Sequence, residues 1–253
     1  VTAFLSVASK AAGFVALVVL IYTAFPLSEA IWQPFIWVLS ALTMTIGNVL
    51  ALKQKNIVRM IAYSSISQGG FVLMPLAVAG LVGSGSTALR SVVLYMIVYA
   101  ATNLGIFAVI LAVSSKTRSG DVSSFGGLFS YAPALGVLMT LFLASLAGIP
   151  PLGGWIAKFV AFQSLIQSQS SWGYALAIIG AVNSVVAFGY YGNVMREIWM
   201  RPVPDSDVTP ITVPGSLRLA LVITAGATLV FGVLPGVGLY FADLAEIAGA
   251  IIR

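Results

Sequence analysis

The chain contains no cysteine and no histidine among its 253 residues. Without cysteine there are no disulfides, no cysteine-ligated iron–sulfur cluster and no thiol nucleophile. Without histidine, the usual metal ligand and the usual neutral-pH acid/base are gone. Charge is scarce as well, with 12 Lys and Arg and 7 Asp and Glu making up 8% of the chain. Any proton chemistry must then use lysine, the few carboxylates, tyrosine or water. No phosphate loop, Rossmann fingerprint or nucleophile triad is present, which argues against a redox site or any bound cofactor or metal within this chain.

What is abundant is apolar surface: 60% of the residues are hydrophobic and the mean hydropathy is +1.05. Repeated apolar runs of 18 or more residues mean transmembrane helices. Counted between punctuation, seven runs emerge, over about 2–25, 32–51, 57–81, 89–114, 132–169, 171–197 and 216–245. The expected fold class is therefore all-α, a polytopic membrane protein of about seven helices. The run 132–169 is too long for one crossing of about 20 residues, so it reads as a broken helix. The lipid bilayer is the expected partner. A net charge of +5 could suggest nucleic acid, but positively charged loops on one membrane side explain it more simply. The chain opens on Val1 without a signal-peptide pattern, which fits either a fragment or an unusual start.

Alternating the loops from side to side tests this parse. The starting side collects Lys53, Lys55, Arg59, Lys116, Arg118, Arg196, Arg201 and Arg218, against Arg90 and Arg253 opposite. The positive-inside rule then makes the starting side cytoplasmic and places the C-terminus outside. The long polar connection 201–215 carries Asp205 and Asp207; Asp243 and Glu246 near the last interface read as solvated, and Arg196 and Glu197 as a local pair of little worth.

Two cations fit no loop. Lys10 lies about 13 Å along the first helix from Val1, near the middle of a hydrocarbon layer of about 30 Å. Lys158 follows the interruption Gly148-Ile149-Pro150-Pro151-Leu152-Gly153. Each proline lacks an amide donor and clashes with the preceding turn. Within a bilayer such a break survives only where protein or a water-filled cavity covers the freed backbone. A lysine at mid-membrane costs about 2.5–3.5 kcal/mol on the insertion scale, so its presence calls for a reason. Two readings stand for each lysine: snorkelling to the interface, or a proton relay in which burial strips the hydration that holds the lysine's proton. For Lys158 the interface is roughly ten residues away, which favours the relay. The polar run Tyr63, Ser64, Ser65, Ser67 and Gln68, together with Asn48, either packs polar groups between helices or lines a hydrated path, as do Asn103 and Asn183.

The Asn56–Gln68 stretch, NIVRMIAYSSISQ, and the Ser145–Gly153 stretch, SLAGIPPLG, resemble the antiporter-like subunits of respiratory complex I. Both motifs are shared across the wider proton-antiporter superfamily, which includes multisubunit cation/proton antiporters and membrane-bound hydrogenases. Ala8-Ser9-Lys10 and Ala157-Lys158-Phe159 narrow the resemblance to the subunit N branch of NADH-quinone oxidoreductase, related to subunit 2 of the mitochondrial enzyme and to its plastid counterpart. The M-type branch would carry Glu at the place of Lys158, and the L-type branch histidines. Val58 departs from the family's usual lysine, and Lys55 offers a charge nearby. The resemblance implies the C-terminal half of a fourteen-helix protein made of two inverted five-helix repeats and flanking helices. Residues 1–25 would be the last helix of the first repeat, 32–197 the second repeat, and 216–253 the C-terminal helix. It also implies proton translocation through Lys10 and Lys158, coupled to NADH oxidation and quinone reduction. FMN, iron–sulfur clusters and quinone would belong to partner subunits, among M-type and small membrane subunits in a bacterial plasma membrane. A cation/proton antiporter subunit is the alternative.

Overall fold

The structure, a computed structural model, describes residues 2–81, 85–204 and 206–251. Val1, Asp205, Arg253 and the Glu246 side chain, to which some of the sequence expectations refer, lie outside the described residues. Among the described residues the architecture is all-helical, with one isolated bridge between Asn56 and Asp121. Nine long helices organise the described residues: α1 (Thr2–Ala24), α2 (Glu29–Leu52), α3 (Ile57–Leu73), α4 (Gly85–Thr117), α5 (Pro133–Ala147), α6 (Gly153–Gln167), α7 (Ser171–Met200), α8 (Gly215–Val233) and α9 (Pro235–Ile251), with a single short turn of helix at Leu128–Tyr131 before α5. α1 carries π-helical turns at Leu5–Ser9 and Leu20–Ala24, the first directly before Lys10. α3 tightens after Met74 into a 3-10 turn, Pro75–Val78, as expected where proline removes a donor.

Among the described residues, six segments are long and apolar enough to cross a membrane: α1, α2, Ile57–Val78, Thr87–Thr117, α7 and α8. α5 and α6 have 15 residues each, about 22 Å at 1.5 Å per residue, and so fall short of a 30 Å layer singly. Local sequence sets their ends. Pro133 opens α5 at a position where its missing amide costs nothing. Gly148 closes α5 at φ 92°, and its amide bonds the Ala144 and Ser145 carbonyls. The Pro150–Pro151 bond is cis. α6 restarts at Gly153, where the Ser145 hydroxyl from the other half-helix accepts the Gly154 amide at 3.0 Å. Asn56 and Ser170 cap α3 and α7 by accepting from the Arg59 and Gly173 amides.

The last span departs from the expected single helix over 216–245. Leu234, at φ −118° and ψ 68°, separates α8 from α9, because Pro235 has no amide to continue the ladder and forces the preceding residue out of helix. The two pieces still run antiparallel along α4: Thr228 meets Thr102, Gly238 meets Leu94, and Asp243 pairs with Arg90 at 2.7 Å. Asp243 is thus ion-paired rather than merely solvated. Glu197 pairs with Arg201 at 3.7 Å, one helical turn on, and not with Arg196.

α3 and α4 form the interior. The buried share of the apolar window is 83% for Ile57–Val78 and 67% for Thr87–Thr117, against 11% for α1. Polar side chains on these two helices are therefore held where bonding partners must be protein groups or enclosed water. At one end of the bundle the cation-bearing loops converge. Ile57 N bonds Gly120 O at 2.7 Å, Val122 N bonds Lys55 O at 2.8 Å, Gly127 N bonds Glu197 O at 3.1 Å, and Lys116 lies 3.4 Å from Asp207. At the other end, Trp37 Nε1 donates to Trp172 O at 2.9 Å.

Candidate proton-relay site

Lys158 is 6% exposed, one turn into α6. Its Nζ donates to Ala147 O at 3.1 Å, one of the carbonyls left free where α5 ends, and to Ser184 Oγ of α7 at 3.4 Å. The Phe71 ring of α3 lies 4.6 Å from the ammonium. A cavity of about 540 Å³ opens beside it, lined by Gly148, Trp155, Phe159, Gln163, Gln167 and Ala181 among others. The four breaking residues divide the work: Gly148 turns the chain, Pro150 and Pro151 keep it from re-forming helix, and Gly153 restarts it.

Lys10 is half-buried on α1. Its Nζ donates to both Ser65 O and Ser65 Oγ (the latter at 2.6 Å), lies 3.5 Å from Tyr99 OH, and sits 4.5 Å from that ring's centre. Tyr99 OH in turn donates to Ser65 Oγ at 2.8 Å. Among the described residues no carboxylate pairs with Lys10 or Lys158; the ion pairs are Arg90–Asp243, Lys116–Asp207 and Arg201–Glu197.

Between the lysines stands Gln68. Its Oε1 accepts from Tyr95 OH at 2.5 Å, and its Nε2 donates to Tyr191 OH at 3.2 Å and to Leu146 O at 3.3 Å. From Ser65 and Tyr99 to Gln68 and Tyr95 is one helical turn on α3 and one on α4, about 5 Å. At the far side, Leu146 O and Ala147 O are neighbouring carbonyls, one held by Gln68 and the next by Lys158. Between half-buried Lys10 and buried Lys158 the neutral hydrogen-bonding groups thus form a ladder of two bonded clusters, one helical turn apart. A branch leaves it through Tyr191, which pairs with Ser64 at 2.5 Å. The adjacent Tyr190 donates to Asn48 Oδ1 at 3.0 Å, and Asn48 donates to Asn183 O and Oδ1 at 2.8 and 2.9 Å.

The expected polar residues therefore separate. Ser64 and Asn48 join the ladder's branch. Tyr63 is half-buried against the core, while Ser67 is fully buried and its hydroxyl lacks a partner among the described residues. Sequence reasoning missed Tyr95, Tyr99, Tyr190, Tyr191 and Ser184, and left Gln68 within a generic polar run. Tyr95 and Tyr99 stand four residues apart inside an apolar span, a spacing that puts both hydroxyls on one face.

At the cation-rich end, Lys116 in the last turn of α4 bonds Asp207 O at 2.9 Å and Thr209 O at 2.6 Å and covers the Tyr131 ring at 4.3 Å. The Thr209 amide, then its hydroxyl, then Lys116, hold the Asp207 carboxyl below its ordinary range. Burial, with Asp207 nearby, pushes the Tyr131 phenol up.

Comparison with known proteins adds three findings. A family model described as NADH:quinone oxidoreductase/Mrp antiporter, TM, matches residues 1–185. NADH-quinone oxidoreductase subunit N of Trichlorobacter lovleyi is 40% identical over 96% of this chain and 48% of its own length, so the chain spans about half of such a relative. Among solved structures, a chain of Thermus thermophilus respiratory complex I is similar with a TM-score of 0.68 at 27% identity, over 82% of this chain and 45% of that one. A chain of the Mrp complex of Dietzia sp. gives 0.75 at 18% identity, over 86% and 47%, a likeness of fold alone.

Proposed function

Because the chain belongs to the NADH:quinone oxidoreductase/Mrp antiporter transmembrane family, we propose that it is part of a proton-translocating subunit N of an NADH-quinone oxidoreductase. The observation that carries this reading is Lys158, buried against a helix break with only neutral partners, at the edge of a cavity. An ammonium there is poorly solvated and uncompensated, so modest changes in the field around it can make it release or take a proton. Ala147 O orients the ammonium, Ser184 offers a hydroxyl on the cavity side, and Gln68 links the break to Tyr95, one helical turn from the Lys10 cluster. Lys10 acts as the inward relay group and Lys158 as the outward one. Transfer between them runs along the tyrosine–serine–glutamine ladder with enclosed water filling the steps.

Each proton moved against the membrane potential costs about 2.3 kcal/mol per 100 mV. That energy comes from NADH oxidation and quinone reduction in partner subunits, which carry the FMN, iron–sulfur clusters and quinone. The neighbours are M-type and small membrane subunits in a bacterial plasma membrane. Residues 32–197 form one five-helix repeat, with α1 before it and α8 and α9 after it, and the cation-rich end faces the cytoplasm. Replacing Lys158 by Ala in the full subunit, within its assembled complex, is expected to abolish most proton pumping while NADH oxidation and assembly persist. Pumping at the parental level would overturn the reading. A second reading, a cation/proton antiporter subunit, draws on the fold likeness to the Mrp complex. It predicts Na⁺-dependent proton exchange in membranes that lack the flavin and iron–sulfur partners.

A further inference from the structure

The break between α5 and α6 is gripped from a side that the relay does not use. Opposite Lys158, three fully buried hydroxyls meet: Thr102 of α4, Ser145 of α5 and Thr228 of α8. Thr102 Oγ1 lies 3.4 Å from Ser145 Oγ and 3.4 Å from Thr228 Oγ1. Thr228 donates to Thr224 O at 2.8 Å and so offers its lone pairs to the cluster, while the single Thr102 proton serves Val98 O at 2.9 Å or Thr228 Oγ1 and leaves the Thr102 lone pairs to Ser145. Ser145 accepts the Gly154 amide at 3.0 Å, across the break, and its own proton is free to reach Thr102. The two half-helices are thereby tied through a hydroxyl that Thr102 and Thr228 hold in place.

One turn along α8 from Thr228, the contact is backbone on backbone. A Cβ added at Gly232 would run into the Pro151 carbonyl oxygen and the Leu152 backbone. These are main-chain atoms of the break itself and have no rotamer through which to yield. The Thr228 carbonyl lies against Gly153 at the restart of α6. Directly beyond Gly232, α8 ends at Leu234 and Pro235, so the interruption in the last span lies beside the interruption in the relay span. The family match stops at residue 185, and α8 lies outside it.

We propose that Thr228 and Gly232 of α8 are positioning residues for the relay: they form the wall that fixes the broken helix and so the place of the carbonyl to which Lys158 is bonded. The proposal rests on Lys158 as a relay group. With the wall in place, Ser145, Gly148 and Ala147 are set within one turn, and the Lys158 ammonium finds its acceptor at a fixed distance. With it loosened, the half-helices can slide and the lysine loses that fixed partner while the rest of the bundle persists.

The test uses the full-length subunit in its assembled complex and reads protons pumped per NADH oxidised. Thr228→Val keeps the shape and removes the hydroxyl; it is expected to lower that ratio at least about twofold, the scale of altered coupling through a packed network, with assembly and NADH oxidation unchanged. Thr228→Ser restores the hydroxyl and is expected to recover the ratio. Gly232→Ala is expected to lower it in the same direction; should that variant not assemble, the Thr228 pair decides alone. A parental ratio in Thr228→Val, or no recovery in Thr228→Ser, overturns the proposal. Lys158→Ala, measured alongside, separates the two levels: if it pumps normally the relay reading itself has failed, whereas if it does not pump and Thr228→Val does, only the wall is wrong.

Discussion

Gln68 carries more of the site than any single residue apart from the lysines, because each end of its amide is used. Changing it to Leu keeps the volume and strands Tyr95 OH, Tyr191 OH and Leu146 O in the interior. A buried polar group left unsatisfied costs about 1–3 kcal/mol, so Gln68→Leu is expected to lower the thermal unfolding temperature of the detergent-solubilised protein measurably. A melting temperature at the parental value would mean that water takes over all three bonds. At this scale, the sequence made the lysines legible and the tyrosines obscure. A lysine in an apolar helix has no cheap explanation, so Lys10 and Lys158 stand out at once. A tyrosine in such a helix has several, since its ring packs and its hydroxyl suits an interface. Only the pairing of α4 with α3 and of α7 with α3 brings Tyr99 to Ser65 and Tyr191 to Ser64, and helix pairing is not written in any one span. The same holds for Ser67, whose polar neighbourhood in sequence suggested a path while its side chain packs with no hydrogen-bond partner among the described residues.

At the level of elements, the break was readable because Gly148, Pro150 and Pro151 act locally, through φ and missing amides. Gly148 sits at φ 92°, where a side chain costs about 1–2 kcal/mol. Gly148→Ala would also bring its methyl to 3.0 Å from Lys158 Cδ. The expected result is a destabilisation of that size together with impaired pumping, read by melting and by vesicle acidification. The interruption at Leu234–Pro235 was missed for a related reason: one proline in an apolar run is compatible with a kink in a continuous helix, and the packing of Gly232 on Pro151 is a long-range fact. The loop 201–214 offers a test of a different kind. Asp207, held below the ordinary carboxylate range by Thr209 and then Lys116, ties this loop to α4. A depressed carboxyl contributes its stabilisation above the unfolded value, about 3.9, and loses it as pH falls through the lower folded value. Asp207→Asn should therefore speed proteolysis of the loop at neutral pH. The difference from the parent should vanish once the medium is acid enough to protonate Asp207 in the folded protein.

For the molecule as a whole, the open question is which way it threads the bilayer, and the missing cysteines supply the means of asking. The sequence puts eight cations on one set of alternate loops and two on the other, and the structure draws the first set together through Lys55–Val122, Gly127–Glu197 and Lys116–Asp207. Because the chain has no cysteine, any single introduced thiol is the only one it can present to a label. Ser123 and Ser206 are exposed at the cation-rich end, and Leu27 and Gln169 are exposed on the connections that alternate with it. If α5 and α6 together make one crossing, Gln169→Cys must face the same side as Leu27→Cys, and Ser123→Cys the same side as Ser206→Cys. With a membrane-impermeant maleimide, the first pair is expected to react only from outside and the second only from the cytoplasmic face, since lysine and arginine are retained on the cytoplasmic side. The two errors this could contain leave different marks. Reversal of all four positions would invert the orientation and keep the helix count. Gln169→Cys reacting from the same side as Ser123→Cys would mean that the broken pair turns back within the bilayer, and Lys158 would then lie on a re-entrant hairpin open to a single face, which cannot carry a proton across.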